Sequence, residues 1–347
     1  MYEILHPREY ALYDEFVQKH KMGYFTQGTP WAKVKDNWGH EVVVCRNDAG
    51  EIVGGMLILI RKIGIKTMLY APRGPICEYT DSDVLTRLLA GAREVAKKYK
   101  AYVLKMDPYV VEGCEEEEAQ VAAFAKAGCT FVRDAAFFAT IQPRHNYMMT
   151  EIGGKTPEEV LKGFGGKTRY QVTMPQRKGV VCVNKGLEGM DDFYAIYKET
   201  GERQKFTIRS REYLEKIMNV WGEHARLYMC YFEGKPLCGG IAVQYAGKTS
   251  HLYGCSSEGM RNLNPTYLLQ WGLINWALEG NCTIYDMQGI ALREEDSKEL
   301  AGVYVFKKKF TGRVVTTVAE FEVIYDKAYN RLANFAMKLR TALKKRA

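Results

Sequence analysis

Each half of the chain runs through the same order of elements. In the first half, VVVCRNDAGEIVGGMLIL (42–59) places two apolar strand-like runs either side of a polar turn at Asn47 to Gly50, the pattern of a β-hairpin. The strand-like KTMLY (66–70) follows, then a segment of helical spacing from Ser82 to Lys98, then the strand-like AYVLKMDP (101–108). In the second half, LYMCYFEGKPLCGGIAVQ (227–244) turns at Glu233 to Lys235 and opens its return strand with the same Gly-Gly pair. KTSHLY (248–253), a helical segment from Pro265 to Leu278 and CTIYDMQ (282–288) complete the second copy. A hairpin continued by strand, helix and strand gives a mixed sheet layered with helices, an α+β architecture. With 347 residues, of which 47% are apolar, the chain has material for two such cores.

The cysteines and the charge narrow the setting. Nine cysteines, odd in number and scattered without a CxxC pair or a histidine at metal-ligand spacing, indicate a reducing compartment and neither a disulfide framework nor a metal site. The N-terminal MYEILHPREYALYDEF is no signal peptide, and the longest apolar run, VGGMLILI from Val53, is too short to span a bilayer, so the expected location is cytoplasmic. The net charge of +8 resides at the C-terminal end, where residues 307–347 hold eleven Lys or Arg against three acids. Two readings of this basic tail stay open. One is a phosphate-bearing partner, either nucleic acid or an anionic membrane surface that would make the protein membrane-peripheral, with Lys344, Lys345 and Arg346 in contact. The other is a solubilising helix end, since YNRLANFAMKLRTALKKR has helical spacing and cations favour a helix C-terminus.

The repeated order is the one found in Gcn5-related N-acetyltransferases, so the expected fold is two tandem acetyltransferase-like (GNAT-type) domains with mixed β-sheets. An acetyl-CoA site would want a glycine-rich turn opening the helix, where backbone N–H groups hold the pyrophosphate. The second half instead has RNLNPTYLLQW (261–271), with Asn264, Pro265 and Thr266 where small residues are needed, and the first half has only YTDSDVLTRLL. No coenzyme A, and no other cofactor or metal, is expected.

Eight stretches carry a more specific likeness: QGTPWAKVKDNWG (27–39), APRGPI (71–76), AYVLKMDP (101–108), KTRYQVTMPQRKGV (167–180), TGERQKFTIRSREYL (200–214), LYGCSSEGMRNLNPTYLLQW (252–271), YDMQGI (285–290) and GVYVFKKKFTG (302–312). In these the chain resembles the FemABX family of aminoacyl-tRNA-dependent peptidyl transferases, which build the cross-bridge of peptidoglycan precursors. The resemblance implies a first domain of residues 1–147 joined by the C-terminal segment 324–347, and a second of 148–323. Many members carry a long helical hairpin in the second domain. No sustained charged heptads occur between Phe193 and Arg226, so this chain resembles the short branch without a coiled-coil arm.

The resemblance also implies the reaction and its residues. An amine of the stem peptide, on UDP-MurNAc-pentapeptide or lipid II, attacks the ester joining an amino acid to tRNA. The site must position the two partners and stabilise the tetrahedral oxyanion. By resemblance Lys307, after Phe306, approaches the reacting carbonyl. The strand-like alternation of GVYVFKKKFTGRVV puts Lys307 and Lys309 on one face and Lys308 on the other. Thr207, Arg209 and Tyr213 match acceptor-contacting residues, with Arg209 and Tyr213 neighbours on one face if the segment is helical. Lys35 matches too, with Lys33 the competing lysine, and Lys35 with Arg209 is expected to hold the acceptor diphosphate. Tyr102, Asp107 and Tyr253 border the acceptor peptide, and Asp107 is a catalytic candidate that steers the attacking amine or takes its proton, the alternative being a turn former before Pro108. Two rival functions remain: an acyl-CoA-dependent N-acyltransferase, and a non-catalytic module that binds tRNA or the cell envelope.

Overall fold

The structure, a computed structural model, describes residues 1–132, 141–295 and 297–344. It divides into two compact units, residues 1–144 together with the chain from Thr317 onward, and His145–Thr316. In chain order the strands are β1 (Tyr2–Ile4), β2 (Gly39–Arg46), β3 (Ile52–Ile63), β4 (Lys66–Ala71), β5 (Ala101–Met106), β6 (Thr130–Val132), β7 (His145–Met149), β8 (Val181–Asn184), β9 (Ala225–Phe232), β10 (Lys235–Tyr245), β11 (Lys248–Ser256), β12 (Ile284–Gly289), β13 (Arg313–Thr316) and β14 (Glu320–Ile324). One sheet has the order β1-β2-β3-β4-β5-β14-β6, the other β13-β7-β12-β11-β10-β9-β8.

The repeat read from sequence is the middle of each sheet. β2 and β3 form the first hairpin and β9 and β10 the second, while β4 with β5 and β11 with β12 are the parallel pairs. Each parallel pair needs a crossover, and the helices Ser82–Lys98 and Pro265–Glu279 supply it. The first buries a stripe of Val84, Leu85, Leu88, Ala92 and Val95 at helical spacing. The second is apolar on most sides and covers its sheet with Leu269, Leu273 and Ile274. The Gly-Gly pairs have a steric reason: a Cβ at Gly54 would lie 2.5 Å from Val84 Cγ1, and one at Gly240 would lie 2.8 Å from His251 Nε2.

Two expectations are corrected. The return to the first unit begins at Thr317, earlier than residue 324: β14 pairs with β5 and β6, and Phe321 stacks on Phe124 at 4.2 Å between centroids. The segment 302–315 is no continuous strand. It contains the last turns of the helix Lys298–Lys307 and then β13, because the Ser297 hydroxyl accepts the Leu300 amide at 3.3 Å and starts a helix ahead of the apparent alternation. Val305 is half exposed, so the alternation faces no core. No helical arm interrupts the described residues around 190–221, where the helices Met190–Gln204 and Arg211–Trp221 have 15 and 11 residues.

Candidate active site

In the second unit the two parallel strands run together only part of the way. Pairing runs from Lys248↔Ile284 to Ser250↔Asp286, after which β11 and β12 continue unpaired with each other. A cavity of about 330 Å³ opens between them, with Lys307, Phe306, His251, Gly254, Gln270 and Gln288 in its wall.

Lys307 ends its helix at 9% exposure. Its ammonium donates to the carbonyls of Gln288 (3.1 Å) and Gly289 (2.9 Å). An ammonium has three hydrogens, and the third meets no acceptor among the described residues. Burial lowers the Lys307 pKa to about 8, opposed by the buried Asp286 carboxylate. Asp286 accepts the Gln288 amide at 2.7 Å and so helps hold that residue at φ 65°, with its carbonyl turned to Lys307. Lys308 and Lys309 are exposed, Lys308 lying 5.7 Å from the Tyr304 ring. The three lysines therefore have different environments, though not those the alternation predicts.

His251 was given no role by its sequence, and the structure puts it beside Lys307. Burial and then the charge of Lys307 push its pKa down to about 4, so it is neutral at pH 7. Its Nε2 lies 3.2 Å from the Tyr253 carbonyl, which can only accept, so Nε2 carries the hydrogen. Nδ1 then accepts from Gln270 Nε2 (3.2 Å), and Gln270 Oε1 accepts from the Tyr285 hydroxyl (2.6 Å). These hydrogen bonds fix the edge of the cavity and engage both ring nitrogens of His251. Asp286 and Gln288 sit within the quoted YDMQGI, but one side chain acting through a backbone carbonyl leaves no pattern in residue types.

A second cluster lies on the loop between the helices Met190–Gln204 and Arg211–Trp221. Arg209 is on this loop, ahead of the helix that Ser210 caps, so the expectation of one helix face is corrected. It nonetheless reaches Tyr213, with the guanidinium 5.6 Å from the ring. Tyr213 and Tyr253 meet edge to face at 6.5 Å, Tyr253 and Tyr197 at 6.1 Å. Burial raises the pKa of Tyr253, whose hydroxyl hydrogen-bonds Tyr213 and Arg209. Thr207 and Arg209 are exposed. Ile208 anchors the loop between them against Gly201, where a Cβ would come within 2.4 Å of it.

The other expected residues belong to the first unit. Lys35 follows the helix Thr29–Val34, its ammonium 4.7 Å from the Trp31 ring, while Lys33 is exposed. Tyr102 is buried against Tyr329 (5.1 Å), and its carbonyl accepts the Tyr325 and Asp326 amides at 2.9 and 3.0 Å, at the root of the C-terminal helix. Asp107 is 2% exposed; its oxygens accept the Tyr70 hydroxyl and the Arg73 amide, both at 2.6 Å. Burial raises its pKa to about 6, against the pull of Arg73. Arg73, itself at φ 56°, donates to the Pro143 carbonyl at 2.8 Å.

The helix ends differ as well. In the first unit the Asp81 carboxylate accepts the amides of Asp83 and Val84, both at 3.0 Å, occupying the site where a pyrophosphate would bind. In the second, Asn264 is left-handed and Pro265, without an N–H, begins the helix. Among the described residues no cluster of His, Cys, Asp and Glu could hold a metal ion, and no helix is long and apolar enough to cross a membrane.

The FemAB family profile matches residues 9–235 and 232–338. A UDP-N-acetylmuramoylpentapeptide-lysine N(6)-alanyltransferase of Weissella viridescens is 32% identical over 307 residues, covering 88% of this chain and 90% of that protein. A Lipid II:glycine glycyltransferase of Staphylococcus epidermidis is 25% identical over 383 aligned residues, covering 90% and 91%. Among solved structures, the crystal structure of FemX aligns with a TM-score of 0.86 at 24% identity, covering 96% of this chain and 99% of that one. A tandem GNAT protein from the clavulanic acid biosynthesis pathway aligns at 0.54 with 12% identity over 93% and 98%, a likeness of fold alone.

Proposed function

The chain belongs to the FemAB family, and from that premise we propose that it is an aminoacyltransferase moving an amino acid from aminoacyl-tRNA to an amine of the peptidoglycan precursor's stem peptide. The observation that carries the reading is the Lys307 ammonium in the cavity wall, tied to two backbone carbonyls with its third N–H meeting no acceptor among the described residues. When the neutral amine adds to the ester carbonyl, the carbon–oxygen π bond becomes an oxyanion. An ammonium fixed beforehand stabilises that charge without reorganising. Collapse breaks the bond to the ribose oxygen, the amine's proton goes to that leaving oxygen, and an amide and a deacylated tRNA result. The ester is already activated, so no covalent enzyme intermediate is needed.

Arg209 with Thr207, Tyr213 and Tyr253 suits a nucleotide-sugar acceptor, since an exposed guanidinium beside aromatic rings meets diphosphate and sugar together. Lys35 is the first unit's candidate for an acceptor contact, Tyr102 being buried against Tyr329, and Phe306 lines the cavity beside Lys307. Asp107 enters as the residue that holds the APRGPI turn, both of its oxygens being engaged there. Two features favour the UDP-linked acceptor over the lipid-linked one. The relative named for the UDP-linked pentapeptide aligns over 307 positions, whereas the glycyltransferase needs 383, more than the 347 residues of this chain, so gaps must stand opposite additional residues in that relative. The described residues hold no helical arm.

The test is incubation with a mixture of charged tRNAs and UDP-MurNAc-pentapeptide, followed by mass measurement. A mass gain of one aminoacyl residue is expected. A mass gain only with an acyl-CoA donor would make the protein an N-acyltransferase. Salt-dependent tRNA binding without transfer to any amine would leave it a binding module.

A further inference from the structure

The C-terminal helix Lys327–Lys344 is moored at its root to the tip of the β3–β4 hairpin. The Tyr329 hydroxyl donates to the Ile63 carbonyl at 2.7 Å and accepts the Ile65 amide at 3.3 Å, and Asp326 pairs with Lys66. Asn330 and Ala333 are buried. What this mooring leaves outside is apolar: Ile65 at the hairpin tip is 83% exposed, and Leu332 and Phe335, three residues apart on the helix side away from the buried Asn330 and Ala333, are 62% and 66% exposed. Scattered exposed apolar residues need no explanation, but three on two elements fastened together form a feature of another kind.

The charge around them has one sign. Arg61, Lys62 and Arg331 are exposed on the same two elements. Behind the hairpin, a cavity of about 230 Å³ is lined by Lys66, Arg93, Lys97 and Lys100. Its acid, Asp326, is paired with Lys66, and Glu94 nearby is paired with Lys97 at 2.8 Å. Arg93 and Lys100 make no ion pair among the described residues, and the Tyr325 hydroxyl in the same wall is buried without a hydrogen bond.

We propose that this face, the Ile65 hairpin tip with the outward side of the helix Lys327–Lys344, docks on an anionic lipid bilayer. The apolar side chains enter the headgroup boundary while the cations, including those of the Arg93–Lys100 cavity, meet lipid phosphates. Nucleic acid would engage the cations and leave Ile65, Leu332 and Phe335 in water. A second copy packed on the same face would set like charges against each other. The inference stands on this surface alone and does not depend on the proposed reaction. Of the basic tail, Lys345 and Arg346 lie outside the described residues.

The test is co-sedimentation of the full chain with vesicles of phosphatidylcholine alone or mixed with phosphatidylglycerol. Binding to the anionic vesicles only is expected, weakened by salt. Leu332→Glu with Phe335→Glu should lower it on the order of 100-fold, and Arg93→Glu with Lys100→Glu should lower it about tenfold or more. All four positions are exposed, so the variants should keep the wild-type melting temperature and the wild-type transfer rate to a soluble acceptor. Equal binding by wild type and the Leu332/Phe335 variant would overturn the proposal. So would a wild-type dimer that this variant turns into a monomer, or tRNA binding in place of vesicle binding that only the charge variant abolishes.

Discussion

The two units begin from the same order of elements and end with opposite uses of one place. In the first, the parallel strands β4 and β5 stay paired as far as Ala71↔Met106, and just beyond them the Asp107 carboxylate accepts the Tyr70 hydroxyl and the Arg73 amide. In the second, β11 and β12 part after Ser250↔Asp286, and a cavity with a buried lysine stands where the first unit has a buried carboxylate. The lesson is that a repeated scaffold need not repeat its site. Closing the wedge fills the first unit's site with a hydrogen-bonded carboxylate; leaving it open gives the second unit a cavity with a buried lysine in its wall.

The sharpest way to break that contrast is to open the closed unit. Asp107→Ala leaves the buried Arg73 and the Tyr70 hydroxyl without their carboxylate, so a loss of about 3–5 kcal/mol in stability is expected by denaturant unfolding. Asp107→Asn keeps the shape and removes the charge, and it tests the same idea through pH. With the folded pKa near 6, above the ordinary 3.8, the native state binds the proton more tightly than the unfolded chain. This group's contribution therefore falls as pH rises from about 4 to 6, by on the order of 3 kcal/mol, and the Asn variant should lack that slope. An Asn variant that melts like wild type but transfers far more slowly would show that Asp107 takes part in the reaction.

In the open unit the largest effect should be kinetic. Lys307→Met keeps the stem and deletes the charge, so kcat should fall roughly 10²- to 10³-fold with KM nearly unchanged, in single-turnover transfer from preformed aminoacyl-tRNA. The exposed Lys308 and Lys309 are controls, and their Met variants should transfer at close to the wild-type rate. The pH dependence has the opposite sign to that of Asp107. With its folded pKa near 8, below the ordinary 10.5, Lys307 is protonated more readily in the unfolded chain. Its contribution to stability rises as pH climbs from 8 to 10, while transfer should decline over the same range as the ammonium is lost. Equal loss of activity in all three lysine variants would reduce the run to an electrostatic patch.

That these two residues differ in environment was not legible in the sequence, although both were named from it. The hairpins, the parallel strands and the crossover helices were readable because each is local: apolar spacing, polar turns and the Gly-Gly pairs mark them within a few residues. The helix ending at Lys307 is hidden in the sequence because Val303 and Val305 mimic alternation, while the deciding signal, the cap at Ser297, lies upstream of the lysine motif. His251 escaped because its relay runs through Gln270 and Tyr285, distant along the chain and ordinary in type. The exposure of Ile65, Leu332 and Phe335 escaped for the complementary reason, that periodicity marks an apolar side chain without saying what covers it.

Between the two extremes lies acceptor binding, which the proposed function places at Arg209 and the open unit's tyrosine cluster. Arg209→Ala removes a guanidinium able to give two charge-assisted hydrogen bonds, a loss of about 1.5–3 kcal/mol. KM for the UDP-linked acceptor should rise roughly 10- to 100-fold while KM for aminoacyl-tRNA stays put, measured in steady-state transfer. If both constants rose together, Arg209 would be serving the nucleic acid or the fold.

The smallest expected effect asks whether the first unit's helix end is closed for structure alone. Asp81 accepts two amides of the helix Ser82–Lys98, at the place where an acetyltransferase-type unit would present them to a phosphate. Asp81→Ala should cost about 1 kcal/mol as the loss of a helix cap, read as a fall of ~2 °C in melting temperature for a chain of this size. It should leave kcat and both KM values at their wild-type levels, since a capped helix has no amide to lend to a substrate. Asp81→Asn, also a strong cap, should restore the melting temperature. The contrast between the units would fail at this point if Asp81→Ala melted normally and raised either KM, because the closed unit's helix end would then contribute to substrate binding.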